Sequence, residues 1–231
     1  MDTDLLLNDF AIRCFRDEGD SDYISARMAF RAGITTSLWA SQQMLEKYVK
    51  CILLLNRIPG TKVMHDLRKG LDLINASSKM QLHLTPNTQR FFDYIEAHGQ
   101  YRYLEKSRFV DTSNIVNLDR AAWELRRYCA LDPAPRQLKL VQGVTTPKFE
   151  LAGGYLESII DDDNSPAREP LLWRNFFFGR RQRRFWKKPS FRIRASNAPL
   201  QMHPEILEEV LKYVYLPKHL IQEYRAYAKS R

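Results

Sequence analysis

The chain has 231 residues, few cysteines and no long apolar segment. Its three cysteines, Cys14, Cys51 and Cys129, are odd in number, far apart and outside any C-x-x-C spacing. This argues against a disulfide framework and a zinc site, and it fits a reducing compartment. No 18 consecutive residues are apolar, so we expect no transmembrane helix. The first residues are acidic and lack a basic segment before an apolar run, so we expect no signal peptide and a cytoplasmic protein.

The short motifs of several enzyme classes are also missing. The sequence contains no Walker loop, no G-x-G-x-x-G, no H-E-x-x-H, no G-x-S-x-G and no calcium-binding loop. Gly153 and Gly154 are adjacent but lack the lysine of a phosphate-binding loop. We therefore expect neither a metal ion nor a cofactor.

The composition is that of a folded, basic protein. Hydrophobic residues make up 44% of the chain, with 12 Phe, 11 Tyr and 4 Trp, which is enough for a core and excludes a disordered tail protein. The formal net charge of +9 favours a polyanionic partner, because cations that neutralise phosphates release counterions. A basic but otherwise ordinary surface is the alternative, and charge alone does not separate the two.

The first 131 residues have the hydrophobic period of helices. The strongest prediction is a helix over residues 36–57, whose apolar positions recur at alternating steps of three and four from Leu38 to Leu55. Further helices are predicted over 4–18, 22–32, 64–75, 87–106 and from Asn117 or Asp119 to about 130. A break is predicted over 17–22, at Gly19. The expected fold class is mainly α, with an antiparallel up-and-down helical bundle over residues 1–131.

The prolines at 133 and 135 predict a domain boundary, after which the pattern changes. Alternation predicts strands over 137–144 and 191–194, and the acidic run 161–165 predicts an exposed loop. Pro204 and Pro217 open two final helices, the last running to about Lys229. We therefore expect a smaller α+β extension over residues 136–231.

Residues 22–69 contain three short motifs. They are Asp22-Tyr23 with Ala26-Arg27, then Gln43 with Glu46-Lys47 and Lys50, and finally His65-Asp66-Leu67. In this order and spacing the motifs resemble the HEPN domain family. The resemblance covers about residues 4–131, with Tyr101-Arg102-Tyr103 similar to an Arg-Tyr segment of the family. Met44 departs from it, because the family prefers Ala there.

The resemblance implies a homodimer that handles RNA or a nucleotide. It also implies a setting in prokaryotic defence or a toxin–antitoxin pair, in which a nucleotidyltransferase-type or other protein is the partner. It makes Gln43, Glu46, Lys47 and Lys50 a candidate surface in a cleft or at the dimer interface. A solvated helix face is the alternative for these four residues.

Ribonucleases of this family resemble one another in an Arg followed, four to six residues later, by a His. Here the nearest pairs, Arg57 with His65 and Arg90 with His98, have seven residues between them. On one unbroken helix Arg90 and His98 would lie about 12 Å apart along the axis and point about 80° apart. This spacing predicts that the usual ribonuclease activity is absent.

A metal-independent endoribonuclease is the alternative function. Its candidate catalytic residues are His98, Arg102 and His65, because phosphoryl chemistry near neutral pH needs an acid or base and a cation. For His65 the competing interpretation is a helix cap shared with Asp66. For His98 it is a half-exposed residue at a helix end.

Residues 180–194 combine positive charge with aromatic rings. The aromatic residues include Phe185, Trp186 and Phe191, and rings of this kind stack on unpaired bases while cations neutralise phosphates. The basic residues predicted to bind nucleic acid with Trp186 are Arg180, Arg181, Arg183, Arg184, Lys187, Lys188, Arg192 and Arg194. The sequence thus favours an RNA- or nucleotide-binding protein. A dimeric protein-interaction module, whose basic segment contacts an acidic partner, is a further alternative.

Overall fold

The structure, a computed structural model, describes residues 3–61, 63, 65–99, 108–130, 154–178, 192–195, 200, 204–211 and 216–229. The fold is mainly helical, as the sequence predicts. The helices are α1 (Thr3–Phe10), α2 (Glu18–Ala32), α3 (Ser37–Leu55), α4 (Leu67–Ala76), α5 (Pro86–His98), α6 (Asn114–Arg126), α7 (Tyr155–Asp161), α8 (Arg168–Leu172), α9 (Leu207–Val210) and α10 (Lys218–Lys229). A π-helical stretch, Ala11–Asp17, joins α1 to α2, and a 3-10 turn, Pro204–Ile206, precedes α9. None of the helices in these ranges combines the length and the apolar character needed to cross a membrane.

Helix α3 is the centre of the bundle. Its predicted seam is confirmed, because Leu38, Leu45, Tyr48 and Ile52 are all fully buried. The reversal between α2 and α3 occurs at Gly33, whose φ of 72° lies in the left-handed region that favours glycine. Helices α2, α4, α5 and α6 all pack against α3.

The predicted break over residues 17–22 is wrong. Helix α2 begins at Glu18 and continues through Gly19 without interruption. A Cβ atom at Gly19 would lie 2.9 Å from Cε1 of Tyr48, so glycine here permits close contact between α2 and α3. Helix α6 likewise begins at Asn114, before both predicted starting residues.

Local caps fix the ends of α4 and α5. Asp66 caps α4 by accepting a hydrogen bond from the Lys69 backbone N–H at 2.8 Å, as the capping interpretation of this turn predicts. Thr85 caps α5, with Pro86 as its first residue. Helix α5 ends at His98, so the helix predicted over 87–106 stops at Gly99, and the rest of that prediction lies outside the described residues.

Part of the C-terminal half shares the core of the bundle. Leu156 and Ile159 of α7 and Leu171 of α8 are buried in the same apolar cluster as the α3 seam. Strand β1 (Arg108–Asp111) pairs in antiparallel fashion with β2 (Arg192–Ala195), which matches the predicted strand at 191–194. Of the predicted exposed loop over 161–165, residues 161–164 are exposed, while Asp161 is still the last residue of α7 and Ser165 is half-buried. The predicted strand at 137–144 lies outside the described residues, and the division into two domains remains a prediction.

Candidate nucleic-acid interface

The motif residues of α3 contact the turn before α4. Glu46 is buried, and its Oε2 atom lies 2.9 Å from Nδ1 of His65. The other carboxylate oxygen of Glu46 accepts a hydrogen bond from Lys50. Because the His65 side chain is 72% exposed, its second ring nitrogen is open to solvent. A buried carboxylate thus orients an exposed imidazole.

Lys47 connects α3 to α2 instead of belonging to this contact. Its Nζ atom lies 2.6 Å from Oδ2 of Asp22, and Glu18 is also close. Burial raises the pKa of the Asp22 carboxyl, and the hydrogen bond and charge of Lys47 oppose this shift. Gln43 is half-buried on the same helix. Three of the four predicted surface residues, Glu46, Lys50 and Lys47, therefore divide between two separate contacts.

The other predicted catalytic residues are only partly described. His98 is half-buried at the end of α5, and its ring centroid lies 4.9 Å from that of Tyr94. Arg90 and His98 lie on one unbroken helix, so the separation calculated from the sequence applies. Arg102 lies outside the described residues, and its grouping with His65 and His98 remains a prediction.

Most of the predicted basic segment also lies outside the described residues. This applies to Arg180, Arg181, Arg183, Arg184, Trp186, Lys187 and Lys188. Arg192 and Arg194 belong to β2, where Arg192 is opposite Asp111 and Arg194 is opposite Phe109. The role of this segment remains a prediction.

A buried ion pair joins α2 to α6. Arg27 donates to Asp119, and neither side chain has any exposed surface. The Tyr23 hydroxyl donates to the same carboxylate at 2.7 Å. Burial raises the pKa of the Asp119 carboxyl, and Arg27 opposes the shift. Asp119 is therefore a buried partner in the middle of α6, and its predicted role at the helix start is wrong.

The same arginine fixes the segment that follows α8. Arg27 donates through Nε to the Pro170 carbonyl at 3.1 Å and through Nη2 to the Trp173 carbonyl. Next in the chain, Asn175 donates through Nδ2 to the Tyr23 hydroxyl at 2.8 Å. Its Oδ1 atom accepts hydrogen bonds from the backbone N–H groups of residues 177 and 178, at 3.0 and 2.9 Å. This network holds a tight turn against the bundle.

A second buried carboxylate holds the other end of α6. Arg126 donates to both oxygens of Asp20, at 2.7 and 2.9 Å, and Tyr48 donates to Oδ1 at 2.7 Å. The same guanidinium contacts both oxygens of Glu157 at 2.6 Å. Partial burial opposes ionisation of Glu157, but the Arg126 hydrogen bonds outweigh it and lower the pKa of that carboxyl. Helices α2, α3, α6 and α7 thus meet at one arginine.

A row of cationic and aromatic side chains runs along α6 and past its C-terminal end. The Phe177 ring centroid lies 5.7 Å from Cζ of Arg120 and 6.0 Å from the Trp123 ring. Cζ of Arg127 lies 5.3 Å from the Trp123 ring centroid and 5.0 Å from that of Tyr128. These distances are within the cation–π range of about 6 Å. We call these five residues the cation–aromatic stripe.

A second stack lies four residues before Phe177. The guanidinium carbons of Arg31 and Arg174 each lie 5.1 Å from the Trp173 ring centroid. Arg174 has a φ of 49°, a left-handed conformation that is uncommon for a residue other than glycine. Such strained residues cluster at functional sites. The turn held by Arg27 and Asn175 therefore presents aromatic rings at two neighbouring positions.

The exposed face of α6 has no carboxylate. The two acidic residues of this helix are Asp119 and Glu124, and both are buried. Glu124 accepts hydrogen bonds from the N–H and hydroxyl groups of Thr85, at 2.9 and 2.8 Å. Trp123, by contrast, is 43% exposed, and Arg127 is exposed beside it. The stripe thus offers positive charge and ring faces without a competing anion on its own helix.

Sequence reasoning missed this stripe, although part of its signal is present in the chain. Arg120, Trp123 and Arg127 are spaced at i, i+3 and i+7, which places them on one helical face. Phe177 cannot be assigned in this way, because it reaches α6 from a segment 54 residues after Trp123. Among the described residues, no group of three or more His, Cys, Asp or Glu side chains is placed to hold a metal ion.

No family model, curated protein or solved structure matches this chain.

Proposed function

We propose that this protein binds single-stranded RNA through the cation–aromatic stripe on α6. The observation that carries the proposal is a continuous row of Arg120, Phe177, Trp123, Arg127 and Tyr128, in which each residue is within cation–π or ring–ring distance of the next. Unpaired bases stack on aromatic and guanidinium planes, and arginines neutralise the phosphates between them. The net charge of +9 supports this partner, because it attracts a polyanion.

The predicted basic segment extends the same interface in this proposal. The stripe includes Phe177, and residues 180–194 follow it directly in the chain. This segment carries eight further cations and Trp186, which we propose add to the contacts of a strand bound on the stripe. Replacing Arg183, Arg184 and Trp186 together by Ala should therefore weaken binding without removing it.

The test is RNA affinity measured by fluorescence anisotropy with a labelled, unstructured RNA octamer and a chelator. Trp123→Ala should weaken binding by roughly 5- to 150-fold, since stacking contributes about 1–3 kcal/mol per base. Trp39→Ala is the matched control, because Trp39 is also a partly exposed helical tryptophan, 37% exposed, but lies outside the stripe. Equal losses in the two variants, or no binding at low salt, would refute the proposal.

Salt dependence tests the phosphate contacts separately. Arg127→Ala should reduce the slope of log affinity against log salt by about 1, as expected when one phosphate contact is removed. A DNA octamer of the same sequence shows whether the 2′-hydroxyl is recognised. An unchanged slope would contradict a phosphate contact at Arg127.

The HEPN-like character and the homodimer belong to the same proposal. They are supported by the order of the motifs and by their contacts, Lys47 with Asp22 and Glu46 with His65. The spacing of Arg90 and His98 supports binding without the family's usual cleavage. Sedimentation equilibrium tests the dimer, and a monomer at micromolar concentration would refute it. The defence setting and a nucleotidyltransferase-type partner rest on the resemblance alone.

A metal-independent endoribonuclease is the second candidate, and the pairing of Glu46 with His65 favours it. Attack of a 2′-hydroxyl on the adjacent phosphorus forms a cyclic phosphate and expels the 5′-oxygen of the next nucleotide, which takes a proton from water. An exposed imidazole held by a buried carboxylate can accept the proton of the attacking hydroxyl. RNA cleavage in chelator that is lost in His65→Ala and retained in His98→Ala would establish this function. Absence of cleavage by the unmodified protein would exclude it under those conditions.

A further inference from the structure

A cavity of about 400 Å³ opens where α1, the end of α3 and the end of α6 meet. Its size falls within the range of about 300–1,000 Å³ that is typical of small-molecule sites. Leu55 and Met80 contribute apolar surface, while Asn8, Asn56 and Gln81 contribute amide groups. The lining is therefore mixed, with more polar than apolar surface, and it offers both a ring face and a polar edge to a ligand.

The amide groups are only partly used by the fold. Asn8 accepts through Oδ1 from Nη2 of Arg57 at 2.9 Å, which leaves its two Nδ2 hydrogens as donors. Asn56 donates through Nδ2 to the Ile52 carbonyl at 2.8 Å, which leaves its Oδ1 atom as an acceptor. Gln81 is exposed and forms no hydrogen bond with the described residues. The cavity thus offers both donors and acceptors to a ligand.

Two residues of the stripe also line the cavity. Arg127 donates through Nε to the Glu124 carbonyl at 3.2 Å and through Nη2 to the His83 carbonyl at 3.1 Å. Its Nη1 group can therefore donate to a ligand in the cavity. The Tyr128 hydroxyl accepts from the His83 N–H at 3.1 Å and from Arg127 at 3.3 Å, so its own hydrogen can be donated. A strand lying on the stripe would therefore pass the rim of this cavity.

Backbone strain lies at the same rim. Arg57 has a φ of 53°, although a residue other than glycine is disfavoured in this region. Its guanidinium donates to the Leu54 carbonyl at 2.7 Å and holds Asn8 in place. Strain of this kind is found at ligand-binding sites. The conformation of Arg57 thus positions one of the polar groups of the cavity.

We propose that this cavity binds one unpaired nucleobase. A base is a flat ring with alternating donors and acceptors on its edge, and the apolar surface of Leu55 and Met80 suits its faces. The base is either part of a strand on the stripe or that of a free nucleotide. Binding of a base from an RNA strand rests on the proposed function, whereas binding of a free nucleotide does not.

Gln81→Trp tests the cavity because it fills the space from an exposed loop position without removing a described contact. Ser78→Trp is the matched control, since Ser78 is an exposed residue of the same loop that does not line the cavity. Calorimetry with AMP, GMP, CMP and UMP should detect at least one ligand. Gln81→Trp should weaken its binding at least ten-fold, and Ser78→Trp should not.

An abasic scan of the RNA octamer tests the strand source. Removing the base at one position should lower affinity on the order of ten-fold in the unmodified protein but not in Gln81→Trp, since stacking of each base contributes on that scale. Position-dependent losses that are the same in both proteins, together with no nucleotide binding, would overturn the proposal. Nucleotide binding that Gln81→Trp leaves unchanged would also overturn it.

The results separate this site from the stripe. If the octamer binds and Trp123→Ala weakens it, but neither readout responds to Gln81→Trp, the stripe stands and the nucleobase site is refuted. If the octamer does not bind, but a nucleotide does and Gln81→Trp abolishes this, the nucleobase site stands and the stripe is refuted.

Discussion

Replacing Arg27 by methionine should be among the most destabilising single substitutions in this protein. Both Arg27 and Asp119 are fully buried, and the guanidinium also donates to two backbone carbonyls, that of Pro170 within α8 and that of Trp173 directly after it. Methionine fills much of the volume but leaves the carboxylate buried without its cation. Removal of one partner from a buried ion pair costs about 3–5 kcal/mol. For a chain of this length we expect the melting temperature to fall by about 6–20 °C.

The matched control is Arg31→Met, one turn further along α2. Arg31 also pairs with a carboxylate, that of Glu169, but the two side chains are 41% and 63% exposed. Exposed pairs contribute about 0–1 kcal/mol, so this variant should remain close to the unmodified protein. Denaturant unfolding followed by circular dichroism measures both free energies. A loss in Arg27→Met no larger than that in Arg31→Met would refute the reasoning.

The structure also predicts how the stability loss in Arg27→Met changes with pH. Burial already raises the pKa of the Asp119 carboxyl, and without Arg27 it should rise further. A raised pKa in the folded state stabilises the fold at low pH, and this contribution is lost as the pH rises through the folded value. The penalty of Arg27→Met should therefore be smaller near about pH 5 than near about pH 8. The double variant with Asp119→Leu should recover stability and lose this pH dependence.

Three further substitutions test the structure. Asn175→Ala should release the turn that presents Phe177 to the stripe, and it should therefore weaken RNA binding and lower the free energy of unfolding by about 1–3 kcal/mol. An RNA affinity equal to that of the unmodified protein would contradict this. Arg126 lowers the pKa of Glu157, so that carboxyl stabilises the fold above its unfolded value of about 4.5, and the contribution disappears as the pH falls through the folded value. In acid titrations of stability, Glu157→Gln should lack this component; identical curves would exclude it. Gly19→Ala should cost about 1–3 kcal/mol in chemical denaturation, since the new methyl group would contact the Tyr48 ring at 2.9 Å, and a neutral result would indicate that the ring moves aside.

The sequence predicted the structure correctly wherever a feature depends only on residues within one helix, strand or turn. The α3 seam repeats at helical period, so the burial of Leu38, Leu45 and Ile52 follows from spacing alone. Gly33 ends α2, and Asp66 caps α4, because both act on neighbouring backbone groups. Strand β2 at Arg192–Ala195 matches the alternation found in the chain.

The sequence misled wherever a polar residue has a distant partner. Gly19 and Asp20 are typical of a loop, yet Asp20 is buried against Arg126, 106 residues away. Asp119 is typical of a helix start, yet it is buried against Arg27, 92 residues away. A buried charge becomes acceptable only when its partner is present, and local sequence does not reveal that partner.

The candidate site likewise combines residues placed by local sequence pattern with a residue placed by distant contacts. The sequence by itself determined a helical fold, a basic chain and an i, i+3, i+7 face on α6 with two arginines around Trp123. Only the tertiary structure decided that Phe177 joins this face, because Arg27 and Asn175 hold its turn there through bonds to α2. Spacing along a helix is local, whereas the meeting of two segments depends on which buried groups pair.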